Sequence, residues 1–227
     1  MEMATTSVNR RLRIPGWTMG RWVRAGFLLA IVIWVSGCSL GSLGEKRASV
    51  FRQYLFEYPS PVVEGLIPSK DLIKVERFSV AQAFNTTAML YQDSPYTLNA
   101  DPYNRWRVNP GEMVPDYLIR DLRQVNLFRA VYSYHDITET RYVLRGQVEH
   151  FLEIDEKGSS KAVLGINITF LDMTKKEIPQ QVLFQKNYRS EDPLREKTAP
   201  GFAQAMSRAM ESVSRQLVLD LREAIKE

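Results

Sequence analysis

Between Tyr142 and Phe170 the chain alternates apolar and polar side chains twice, around one short turn. Tyr142, Leu144, Val148, Leu152 and Ile154 point one way, and Arg145, Gln147, Glu149 and Glu153 the other. After Asp155-Glu156-Lys157-Gly158, a turn by composition, Ala162, Leu164, Ile166, Ile168 and Phe170 alternate with Gly165, Asn167 and Thr169. A period of two on both sides of a tight turn predicts a long antiparallel hairpin with one buried face. Val182 to Arg189 supplies a third strand. Such a face needs a second layer to cover it. The last stretch, Pro200 to Lys226, offers one: Phe202, Met206, Ala209, Val213, Leu217, Leu221 and Ala224 recur at helical spacing and read as a core stripe.

The segments before the hairpin are shorter. Val50–Tyr58 reads as a first strand, stopped by Pro59-Ser60-Pro61, and Leu72–Val80 as a second, with Ile73, Val75 and Phe78 inward. Ala88–Tyr91 and Tyr96–Leu98 read as a short hairpin turning at Asp93-Ser94-Pro95, and the chain from there to Trp106 as aromatic-rich loop. Asn109 can cap a helix with Pro110 in its first turn and Met113, Leu118, Leu122 and Val125 on one face; Pro115 offers a later start. Phe128–Tyr132 reads as one more strand. Together these predict an α+β two-layer sandwich, a mostly antiparallel sheet with two main helices packed on one face.

A search for chemistry returns little. His135 and His150 are too far apart to suggest a ligand pair, and His150 falls on the apolar side of its strand, as a core or edge histidine would. No His-Glu-x-x-His, Gly-x-Ser-x-Gly or phosphate-cradling glycine loop occurs. Asp101, Asp116 and Asp121 flank the first helix, where acids ordinarily meet the helix dipole or solvent, and Glu149 and Glu153 share a polar face with Arg145. No catalytic residue, metal or cofactor is predicted. Tyr91, Tyr96, Tyr103 and Trp106 stand within sixteen residues and admit two readings. Exposed, they suit a protein–protein contact; alternatively, Trp106 plugs the core between sheet and helix.

Cys38 is the only cysteine. It follows the apolar run Ala25–Val35, with Arg21 and Arg24 ahead of that run, and Val35-Ser36-Gly37 leads directly into it. A basic region, an apolar stretch too short to span a bilayer and small residues before a cut are the marks of a secretory signal. With Cys at the cut, the pattern resembles the bacterial lipobox. That resemblance implies recognition of Val35, Ser36 and Gly37 by a signal peptidase and acylation of Cys38, palmitate among the chains. Met19 is an alternative start. Residues 1–37 thus read as signal peptide, 38–49 as a flexible tether and 50–227 as one domain. Removing the five arginines and one glutamate of residues 1–37 from 30 basic and 26 acidic side chains leaves 25 of each. The pI of about 9.1 therefore overstates the mature chain's charge, and no nucleic-acid partner is expected.

The order of motifs resembles the ABC-type transport auxiliary lipoprotein family, which includes the auxiliary lipoprotein of the paraquat-inducible operon. The resemblance rests on Tyr54-Leu-Phe56 soon after the cysteine, Ile73–Val80, Met89-Leu-Tyr91-Gln, Tyr96-Thr-Leu98, Trp106 before the first helix, and a helix closing the chain after a hairpin. Pro110-Gly111 and Pro115 depart from it. Family resemblance implies a non-catalytic partner of an MCE-domain periplasmic protein with its ABC permease and ATPase, in intermembrane lipid transport. It also implies a lipid anchor facing the periplasm; Ser39 in place of Asp favours the outer membrane by the enterobacterial sorting rule. A homo-oligomer is compatible with this reading. Its rivals are an accessory of lipopolysaccharide insertion or secretion, and a small-ligand-binding lipoprotein.

Overall fold

The computed structural model describes residues 50–226 apart from Leu66 and Lys157. The long hairpin is present. Strand β7 (Tyr142–Glu156) pairs antiparallel with β8 (Ser159–Asp172) from Tyr142↔Asp172 to Glu156↔Ser159. The turn between them uses Gly158 at φ 92°, a conformation L-residues avoid. Strand β9 (Val182–Pro193) pairs antiparallel with the far edge of β8 and runs past Arg189.

The other edge of β7 overturns the expected sandwich. Three short strands share it in sequence, all parallel to it: β2 (Leu72–Val75) beside Tyr142–Leu144, β3 (Ser79–Val80) beside Gln147–Val148, and β4 (Ala88–Gln92) beside Glu153–Ile154. Strand β5 (Asn99–Trp106) is antiparallel to β4; β1 (Arg52–Tyr54) is parallel to β5, and β6 (Ala130–Tyr132) to β2. Among the described residues the nine strands form one mixed, curled sheet, a half-barrel, with three helices. It is not a two-layer sandwich on a mostly antiparallel sheet. The cause is local. The anticipated strand Leu72–Val80 leaves the ladder at Glu76–Phe78, so its two halves meet β7 at separate points, and bulges bend the long strands.

One bulge, at Val148/His150, also corrects the expected facing of β7. Tyr142, Leu144 and Val148 enter the main core, but beyond the extra residue Phe151 takes the core side. Leu152 turns to the other face and joins Leu90 and Val163 in a small second cluster, with Ile154 packed on it. His150 is exposed on that second face, its ring beside Phe84 and over Gly165, where a Cβ would lie 2.8 Å from Nδ1.

Helix α1 (Pro110–Val125) starts at Pro110, with the Asn109 side chain accepting from the Gly111 amide at 2.9 Å. Pro115 sits inside it without breaking it. A proline lacks the N–H that would bond to the carbonyl of Gly111, and the Phe78 amide donates to that carbonyl instead, at 3.1 Å. After the short helix α2 (Ile178–Gln181), α3 (Ala199–Ala224) begins at Thr198, whose hydroxyl accepts from the Gly201 amide at 3.1 Å. The stripe from Phe202 to Leu221 is buried in one core with α1 and the inner residues of β7 and β8, as its spacing predicts.

Candidate functional site

Val35, Ser36, Gly37 and Cys38 lie outside the described residues. The four aromatics do not form one surface. Trp106, at the end of β5, is 1% exposed and meets Phe56, Phe151 and Phe202 edge-on, with ring centroids 5.1 to 5.7 Å apart. Tyr91 is 38%, Tyr103 64% and Tyr96 100% exposed. The core reading therefore holds for Trp106 alone.

Tyr96 stands at the tip of the β4–β5 hairpin, which is longer than anticipated because Asn99–Trp106 is strand, not loop. The tip is tied by its own polar groups. The Thr97 hydroxyl donates to the Asp93 carboxylate at 2.7 Å and lies 2.7 Å from the Ser94 hydroxyl; the Thr97 amide donates to the Ser94 carbonyl at 3.2 Å. Gln92 donates to the same carbonyl at 3.0 Å. A fully solvated tyrosine is thus held on a turn whose conformation is already fixed. Further down β5, the Asp101 carboxylate accepts from the amides of Tyr103 and Asn104 at 2.7 and 2.8 Å, where the β4–β5 register shifts.

Below the tip an open cleft of about 320 Å³ runs between the hairpin, the end of β7 and the start of α3. Its charges are Asp93, Asp101, Glu153 and Asp155 facing Lys197. Lys197 donates to Asp155, and that bond, with one from Ser160, holds the Asp155 carboxyl below its ordinary range. Burial pushes the Glu153 carboxyl upward. For Asp101, burial acts in the same direction but is outweighed by the bonds from Asn104 and the backbone, so its pKa falls. Glu153 is not solvated beside Arg145, as alternation implied, because the bulge sends it to the opposite face. Among the described residues no three of His, Cys, Asp and Glu converge as metal ligands.

A second groove, of about 590 Å³, lies beside β7 under the fully exposed Ile137. It is laced with ion pairs: Arg145–Glu76 at 2.8 Å, Arg141–Asp71 at 3.1 Å and Arg141–Asp172 at 3.0 Å.

Asp121 is the polar residue that local spacing misplaced. It has no exposed surface. Its carboxylate accepts from Tyr58, Ser60 and Ser214 hydroxyls at 2.8, 2.8 and 2.6 Å and pairs with Arg120 at 2.8 Å. Burial, then the nearby Asp121 charge, raises the Tyr58 hydroxyl above its ordinary range. The groups come from the β1–β2 connection, α1 and α3, so this is a tie between elements.

Comparison with known proteins adds the family. The family model described as ABC-type transport auxiliary lipoprotein component matches residues 54–218. No curated protein matches the chain. A crystal structure of a Xanthomonas campestris protein of the DUF330 family superposes with a TM-score of 0.69 at 16% identity, covering 77% of this chain and 97% of its own. A second crystal structure, of an uncharacterized protein, gives 0.58 at 13% identity, covering 75% and 99%. At such identities the two share the fold.

Proposed function

The chain belongs to the family of ABC-type transport auxiliary lipoprotein components, and from that premise we propose that it is a lipid-anchored, non-catalytic docking subunit of an MCE-type intermembrane lipid transport system. Acylated Cys38 holds the domain at the periplasmic face of the outer membrane. A tether of about a dozen residues limits its reach to about 40 Å. The β4–β5 hairpin then receives the periplasmic MCE assembly, while the partner permease and ATPase supply the energy.

The observation that carries this reading is Tyr96, wholly exposed on a hydrogen-bonded turn with the half-exposed Tyr91 behind it. An aromatic presented on a rigid support loses little entropy on binding, and tyrosine is enriched among residues that dominate interfaces. The neighbouring cleft favours docking over turnover, since Lys197 is paired with Asp155 and the Asp101 carboxylate is occupied by the Asn104 amide. Both clefts are open and charge-lined, which suits a small apolar ligand poorly.

The test is affinity capture from crosslinked native membranes with wild type and Cys38→Ala. An MCE-domain protein recovered with wild type and weakened by loss of the anchor is the expected result. Recovery of a β-barrel or secretion component without any MCE protein overturns the proposal.

A further inference from the structure

Among the described residues the β1–β5 edge carries three arginines and no ion pair. Arg52 opens β1; Arg105 is the penultimate residue of β5, on the face opposite the buried Trp106, and Arg107 follows just past the strand's end. The Arg105 guanidinium lies 3.9 Å from the centre of the Phe51 ring, and Arg107 donates to the neutral Gln53. None of the three has a carboxylate within salt-bridge distance among the described residues, although most other cations of the sheet do. Asp101, the acid of β5, is already engaged by Tyr103 and Asn104. Interleaved with the arginines are apolar side chains left in water: Val50, Phe51 and Leu55, with Tyr103 one position before the paired stretch.

We propose that this edge is a membrane-facing surface that seats on anionic phospholipid headgroups of the bilayer. The inference rests on acylation of Cys38. Three features select a bilayer as the occupant. Among the described residues the three arginines are outside any ion pair and outnumber the one acid of β5, and anionic lipid surfaces attract such clusters next to an anchor. Aromatic and aliphatic groups between the cations match an interface that is polar above and apolar below. The edge also lies where the chain leads back from Val50 to Cys38, within about 40 Å of extended chain. The domain would then lie with β1 toward the lipid instead of tumbling on its tether.

Hydrogen exchange on the processed, acylated protein in vesicles tests this, comparing phosphatidylcholine alone with phosphatidylcholine containing about a third phosphatidylglycerol. The expected result is at least several-fold slower amide exchange over 50–55 and 101–107 in the anionic vesicles only, with α3 unchanged. That protection should fade as salt rises, since screening weakens exposed charges first. The variant Arg52→Gln/Arg105→Gln/Arg107→Gln should still float with the vesicles yet lose the protection. Equal exchange in both vesicles, on protein that floats, overturns the inference and leaves the anchor standing. Protein that floats with neither removes the anchor and this edge assignment with it. The wild-type comparison alone decides the matter if the triple variant does not fold.

Discussion

Asp121 and Asp172 show how single carboxylates tie this fold together. Asp121 is buried in α1 with donors from Tyr58, Ser60, Ser214 and Arg120 around it. Asp121→Ala removes the common acceptor and strands buried hydroxyls, which should cost about 3 kcal/mol in urea unfolding. Its local spacing suggested a solvated helix residue, because three of its donors lie far off in sequence. Asp172 works through pH. Burial alone would raise its pKa, but bonds from Arg141 and Thr174 prevail and lower it to about 2. A carboxyl with a depressed folded pKa contributes stability above its ordinary value near 3.8 and loses it as pH falls toward 2. Arg141 is partly solvated, so the contribution is discounted to roughly 1 kcal/mol. Asp172→Asn should be less stable than wild type by that amount at pH 7, and the difference should shrink as pH falls from about 4 through 2, vanishing only below 2.

At the scale of elements, periodicity identified what depends on one strand or helix and failed where pairing depends on irregularity. The β7–β8 hairpin, the Asn109 cap and the α3 stripe were all legible, since each is written in spacing and local chemistry. The three parallel pairings along β7 were not. They follow from the break at Glu76–Phe78 and the bulge at Val148/His150, which alternation alone does not reveal. The break has a visible cause in the structure. The Phe78 ring lies against Gly146, where a Cβ would come within 2.4 Å of it, and its amide serves the carbonyl freed by Pro115. Gly146→Val should therefore displace Phe78 and lower stability by about 2 kcal/mol in urea unfolding. An unchanged midpoint would mean that the ring moves freely and that the close approach does not hold β2 and β3 apart.

Residues 50–226 share one main hydrophobic core within a curled sheet, with a group of arginines outside any ion pair at the β1 edge and, among the described residues, the most exposed aromatic at the β4–β5 tip. The family was legible in the order of Tyr54, Ile73–Val80, Trp106 and the closing helix, and the family match supports it. The candidate site was legible only in part. Four aromatics close in sequence implied one surface, but alternation along β5 sends Trp106 inward while Tyr96 sits on a turn outside the strands. The cleft beside them was invisible for a different reason: its walls come from β4, β5, β7 and α3, which only the folded sheet assembles.

The most direct test places a photo-crosslinking residue at Tyr96 in cells, with the same residue at the exposed Ile178 as control. The account predicts that position 96 captures an MCE-domain protein and that position 178 does not. Capture of that protein from position 178 alone, or of only an unrelated envelope component from position 96, would contradict it.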